Sequence, residues 1–276
     1  MIPFVYFGSS QFSVFILDEL EKLGFLPTLI VSTPDKPQGR KLVMTPTPVT
    51  LWARTRKIPT FTPESLNSAA INHIKDIGAD IFIVASYGKI LPKELINLPK
   101  YKTINVHPSL LPKYRGPSPL QSMILADDKE TGTSIMIIDE KMDHGPLLGQ
   151  ATLTIYDWPP LLELKRQMAV LSVQVLAEVL PQWIAGTLTP KEQDHSQATY
   201  TKKITKEDGR IDLKEDPYYN FRKIQAYSGW PSAFFFTERH NKKIRVKITS
   251  ARFEKDKLII DKVIPEGKGE IPFRDL

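Results

Sequence analysis

Thr103-Ile104-Asn105-Val106-His107-Pro108-Ser109-Leu110-Leu111-Pro112-Lys113-Tyr114-Arg115-Gly116-Pro117-Ser118-Pro119-Leu120-Gln121 is the stretch around which the chain is organised. β-Branched Thr103, Ile104 and Val106 around Asn105 predict a short strand over 103–106. Pro108, Pro112, Gly116 and Pro117 then exclude both helix and ladder, so a fixed loop must follow, and Pro117 suits the first position of a helix over 117–126. If Asn105 and His107 both belong to the extended run, their two-residue spacing puts both side chains on one face. At the carboxyl end of a parallel strand that face opens into the crevice where α/β sheets bind ligands. A carboxamide that donates hydrogen bonds, beside an imidazole that gives or takes a proton, suits acyl transfer. The pair can hold a carbonyl oxygen as it becomes an oxyanion.

An Asn-x-His at a strand end, taken alone, is more often a capping or packing pair than a catalytic one. The next element weighs against that reading. Residues 132–138 read as a buried strand, and Asp139-Glu140-Lys141-Met142-Asp143-His144-Gly145-Pro146 is a polar turn leaving it. Such a turn can bring Asp143 beside His107, where a carboxylate would orient the ring and hold its cationic form.

Working outward, residues 2–7 are an apolar run that ends at Gly8-Ser9-Ser10, after which Phe12, Phe15, Ile16, Leu20 and Leu23 keep helical spacing. This strand, tight turn and helix open a Rossmann-like unit, but a lone Gly8 is far from a dinucleotide fingerprint. Residues 29–31 give a second strand, 49–56 and 68–77 helices, and 59–61 a short strand. Residues 81–85 read as a strand buried on both faces, as in a parallel sheet. An antiparallel strand over 146–155 and a long amphipathic helix over 159–185 complete an α/β domain with a mostly parallel sheet.

A length of 276 residues allows one large domain or two smaller ones, and 41% hydrophobic with 25% charged residues describes a soluble globular chain. The absence of cysteine excludes disulfides and thiolate-bound metals, and no metal site is expected. No uncharged span approaches the ~18 residues of a membrane helix, and the opening residues lack a basic n-region, so a cytoplasmic protein is expected. The net charge of +6 is unevenly placed: residues 1–200 carry 19 Lys and Arg against 19 Asp and Glu, residues 201–276 carry 18 against 12. A neutral body with a basic end points to an acidic macromolecule such as RNA, or to a merely solvated basic surface. Residues 33–48 form a long, basic, irregular loop, which is usually functional or mobile. A polar stretch without period marks a linker over 187–206, between a domain over 1–186 and a basic module over 207–276. Short alternating strands in that module fit an open barrel of the oligonucleotide-binding type.

Asn105-Val106-His107-Pro108-Ser109-Leu110-Leu111-Pro112, followed by Arg115-Gly116 and later by Asp143-His144-Gly145, resembles the signature of the folate-dependent formyltransferases. The resemblance runs from residue 2 to about 236 and is strongest to the branch whose acceptor is methionyl-initiator tRNA. It implies an α/β, Rossmann-like formyltransferase domain followed by a smaller β-barrel of OB type. It also implies a monomeric enzyme that uses 10-formyltetrahydrofolate as formyl donor, needs no metal, and formylates the α-amine of the methionyl-tRNA in translation initiation. Catalysis falls to Asn105, His107 and Asp143; folate binding to Ile90, Leu91, Ser109, Leu110, Leu111 and Pro112; tRNA contact to Arg40 and, with it, Lys36 and Lys41. Arg115 is assigned either to holding a negative group or to bracing its loop.

The match thins near the end. The family's usual C-terminal domain carries an additional hairpin between the segments matching Ala251 and Glu254 and a longer terminus, so a shortened barrel is expected. Two rivals stay open. One is the same triad acting on a sugar amine or glycinamide ribonucleotide, or hydrolysing formyl-folate, none of which needs the Arg40 loop or a basic second domain. The other is an RNA-binding protein with an inactive transferase fold, which the intact Asn105, His107 and Asp143 count against.

Overall fold

β1 (Phe4–Gly8) is buried at every position, as a strand with neighbours on both sides and cover on both faces must be. Removing Val5, Tyr6 and Phe7 from water contributes roughly 1.5–3 kcal/mol per large apolar side chain. This computed structural model describes residues 2–39, 42–239 and 242–276. The chain divides into two compact units: Met1–Arg115, Gly132–Leu153 and Arg166–Tyr200 form the first, and Gly116–Thr131, Thr154–Lys165 and Thr201–Leu276 the second.

In the first unit, α1 (Gln11–Lys22) starts at Ser10, whose hydroxyl accepts from the Ser13 N–H while the Ser13 hydroxyl accepts from the Ser10 N–H. This reciprocal cap satisfies two of the amides at the helix start from its own chain. β2 (Leu29–Val31) follows. The expected irregular loop contains a small hairpin of β3 (Lys36–Gln38) and β4 (Val43–Thr45). Pro37 is tolerated there because a two-stranded ribbon has only edges. α2 (Pro48–Arg56) is capped by Thr47, β5 (Thr60–Phe61) is brief, and α3 (Ser68–Lys75) is capped by Asn67. β6 (Ile81–Ala85), the short helix α4 (Lys93–Ile96) and β7 (Thr103–His107) lead to the central stretch.

α5 (Pro119–Ala126), β8 (Glu130–Ile137), β9 (Leu147–Thr154) and α6 (Leu161–Ile184) follow in the chain. The sheet order is β5-β2-β1-β6-β7-β8-β9, parallel from β5 to β7, with β8 antiparallel to β7. Ile137 N–H donates to Pro146 O at 2.9 Å, and Gly132 lies against Ala151, so β9 runs back along β8. A core of Val5, Phe7, Leu29, Val31, Ile71, Ile74, Phe82 and Val84 fixes the parallel strands beneath their carboxyl ends.

The second unit holds α7 (Pro217–Ala226) and a four-stranded antiparallel sheet of β10 (Phe234–Arg239), β11 (Lys242–Glu254), β12 (Lys257–Pro265) and β13 (Ile271–Pro272). The sheet is open in the described residues. β11 runs longer than its alternation suggests, because a register shift between Ile248 and Ala251 interrupts the period without ending the strand. Its apolar face gathers Ile224, Phe235, Val246, Ile248 and Val263. Among the described residues no helix is long and apolar enough to cross a membrane.

Candidate active site

β7 extends through His107, so Asn105 and His107 share one face of the strand, while Ile104 and Val106 are buried on the other. Parallel pairing with β6 brings the residues after Ala85 level with His107, at the carboxyl edge of the sheet. The turn after β8 then carries Asp143 back to the pair. Asn105 Nδ2 donates to Asp143 Oδ1 at 3.3 Å, and the same oxygen lies 3.6 Å from His107 Nδ1. The His107 and Asp143 side chains are 6% and 14% exposed, so their interaction is little screened by water.

His107 Nε2 lies 3.0 Å from the carbonyl oxygen of Tyr114. A carbonyl can only accept, so Nε2 carries a proton and Nδ1 is the nitrogen that faces Asp143. The ring is thus clamped at one nitrogen and left available at the other. The arrangement offers a developing oxyanion one donor at Asn105 Nδ2 and a second at His107 Nδ1 when the ring is doubly protonated, with a carboxylate alongside to orient the ring and take up a proton.

The Pro-rich loop is rigid because its polar groups are used internally. Ser109 Oγ donates to Lys113 O at 2.7 Å, Ser134 Oγ donates to Ser109 O at 2.6 Å, and Leu111 N–H donates to Ser134 Oγ at 3.0 Å. Gln150 Nε2 donates to Leu111 O at 2.9 Å. Of the residues expected at the folate, Ile90 is 84% exposed and Leu91, Leu110 and Pro112 are half-buried, whereas Ser109 and Leu111 are buried in the scaffold. Leu91 also packs on the core of the parallel strands. Ile90 and Leu91 lie in the loop after β6, next to the strand that ends at His107. That loop is anchored by Lys89, whose Nζ donates to the carbonyls of Pro63 and Glu64 at 2.8 Å each. Tyr87 beside it is a core group: burial pushes its phenol up to about 12, and its ring stands edge-on to Phe7 at 5.5 Å.

Arg115 is 1% exposed, and its guanidinium braces the structure. Its Nη2 donates to Gln193 Oε1 at 2.6 Å and to His195 Nδ1 at 2.9 Å, and Nη1 donates to Tyr200 OH at 3.3 Å. Gln193, His195 and the carbonyl of Tyr114 did not emerge from the sequence. They sit in stretches without periodicity, and nothing local marks a glutamine as buried. Lys36 opens β3 and is exposed, and Arg40 and Lys41 lie outside the described residues. Among the described residues no group of three or more His, Asp or Glu is placed to hold a metal ion.

Residues 2–180 match the formyl transferase family, and residues 203–272 match the formyl transferase C-terminal domain. The methionyl-tRNA formyltransferase of Chloroflexus aurantiacus is 37% identical over 236 residues, covering 84% of this chain and 75% of that protein. The methionyl-tRNA formyltransferase of Thermotoga maritima is 38% identical over 233 residues, covering 84% of this chain and 74% of that protein. The solved structure of methionyl-tRNA formyltransferase from Clostridium thermocellum superposes with a TM-score of 0.63 at 17% identity, covering 98% of this chain and all of that one, a likeness of fold. The chain belongs to the formyl transferase family.

Proposed function

We propose that the protein transfers the formyl group of 10-formyltetrahydrofolate to the α-amine of methionyl-initiator tRNA. The observation that carries this reading is the meeting of Asn105, His107 and Asp143 at one point of the carboxyl edge, on a chain 37% identical to a methionyl-tRNA formyltransferase. The donor supplies a formyl carbon already activated by its bond to N10. The acceptor nitrogen bonds to that carbon, the bond to N10 breaks, and one proton must pass from the amine to N10. Asn105 Nδ2 and protonated His107 Nδ1 stabilise the formyl oxygen as it gains charge. Asp143 orients the imidazole, balances its charge, and relays the proton.

The donor's flat heterocycle is accommodated by the apolar side chains of Ile90, Leu91, Leu110 and Pro112, with Ser109 and Leu111 shaping the wall from behind. Lys36, Arg40 and Lys41 serve the tRNA acceptor. We assign catalysis to residues 1–186, treat 187–206 as the connection, and give residues 207–276 a phosphate-directed role in holding tRNA. The enzyme works as a cytoplasmic monomer.

Incubation with 10-formyltetrahydrofolate and charged initiator tRNA tests the reading. Formyl-methionyl-tRNA should appear at a rate far above that for sugar amines, glycinamide ribonucleotide or water. Preferred use of a small amine, or hydrolysis without transfer, overturns it.

A further inference from the structure

We infer that Gln193, held in place by Arg115, is a positioning residue for this transfer, fixing the Asp143 turn so that its carboxylate meets His107 Nδ1. The inference rests on the formyl-transfer reading for its kinetic arm and on geometry alone for its spectroscopic arm.

The Gln193 side chain is 5% exposed and fully oriented. Its Nε2 donates to Asp143 O at 3.0 Å and to Gly145 O at 2.7 Å, and its Oε1 accepts from Arg115 Nη2 at 2.6 Å. Carbonyls only accept and a guanidinium only donates, so the amide cannot be flipped without losing all three bonds. The carbonyls it grips bracket the active-site turn. Asp143 itself has φ +50, a left-handed conformation that an Asp adopts but that needs support from its surroundings. Gly145 leaves no latitude on the other side, since a Cβ there would stand 2.0 Å from Ile137 O.

The same segment also holds His107. Thr199 accepts the Arg115 N–H through its carbonyl at 2.9 Å and the Tyr114 N–H through its hydroxyl at 2.8 Å, and Tyr114 O is the partner of His107 Nε2. Lys191 and Leu147 exchange backbone bonds at 2.8 Å, fixing the segment's other end. His195, which accepts from Arg115, stacks on His144 at 3.9 Å and 6°, and His144 Nδ1 lies 2.6 Å from Asp139 Oδ2. Both members of the 3.6 Å pair, His107 and Asp143, are therefore tied to residues 191–200. Arg115 supplies the charge-assisted bond that orients Gln193.

The test compares Gln193→Met, which keeps the volume and removes every polar bond, with Gln193→Glu, which keeps the acceptor for Arg115 but cannot donate to the two carbonyls. Both are expected to lower kcat about 10- to 100-fold, with KM for donor and tRNA nearly unchanged, because misplacing a reacting group costs turnover before binding. In an Asp143→Asn background Gln193→Met should cost less than about threefold more, since it acts through that carboxylate. An equal cost in both backgrounds, a rise in KM alone, or wild-type turnover overturns the inference. Long-range proton–nitrogen NMR of the imidazoles gives an arm that needs no substrate, with His107 identified by its loss in His107→Gln. Gln193→Met and Asp143→Asn should move the His107 Nδ1 resonance in the same direction. An unmoved resonance in a folded Gln193→Met overturns the inference even if the acceptor proves to be other than methionyl-tRNA. Failure of the wild-type protein to use methionyl-tRNA, with the resonance moving as expected, overturns only the assignment of acceptor.

Discussion

Replacing Asp143 by Asn removes a charge while keeping the size and shape of the side chain. Its φ of +50 suits Asn as well as Asp, and the bonds that Gln193 makes to the turn go to backbone carbonyls that the substitution leaves in place. Asn105 Nδ2 keeps an oxygen to donate to. What disappears is the attraction between the carboxylate and an imidazolium whose Nδ1 is 3.6 Å from Oδ1, about 4.6 kcal/mol at an effective dielectric of 20. Each decade of rate takes about 1.4 kcal/mol, so realising even two-thirds of that attraction in the transition state lowers turnover at least about 100-fold. Single-turnover formylation of methionyl-tRNA at saturating donor is the assay, with folate binding and thermal melting as controls that should not move. A folded Asp143→Asn enzyme with near wild-type turnover refutes the reasoning, and would leave Asn105 and His107 to work without a carboxylate.

Three further outcomes are expected. Arg40→Leu should weaken use of methionyl-tRNA far more than hydrolysis of the formyl donor; equal losses would place Arg40 in the folate site or the scaffold. Lys242 and Lys247 are exposed on β11, and exchanging both for Ala should flatten the salt slope of log K for tRNA by about 1.4 to 1.8 if each meets a phosphate. An unchanged slope removes them from the interface. The Arg56 guanidinium, bonded to Glu21 at 2.7 and 2.8 Å, holds that carboxyl below its ordinary range. The folded pKa is depressed, so the stabilisation is present above the unfolded Glu pKa of about 4.3 and is lost as pH falls through the lower folded value. With both side chains about one-third exposed, it is at most about 1 kcal/mol. Glu21→Gln should therefore lower Tm slightly at pH 7 and not at all in strong acid; a difference that persists in acid would place its origin in packing.

Much of this protein was legible in its sequence, for a physical reason that differs from part to part. The parallel strands declare themselves because burial on both faces demands uninterrupted apolar runs such as Ile81-Phe82-Ile83-Val84-Ala85. Asn105 and His107 were readable as a pair because alternation in a strand is a local property, and proline and glycine mark the loop after them wherever they occur. Asp143 was readable only as a candidate, since a turn's chemistry is local but its landing point is not. The small hairpin of β3 and β4 escaped because prolines inside a ribbon look like loop, and the length of β11 escaped because a register shift breaks the period without breaking the strand. Tertiary structure alone decided which nitrogen of His107 faces Asp143, because a backbone carbonyl seven residues along the chain fixes the other one. It alone decided that the polar stretch containing Gln193 reaches the active-site turn, across 50 residues of chain. Hydrogen bonds between distant segments leave no periodic trace in composition. They come into being only when the folded chain excludes water and brings the distant donor and acceptor together.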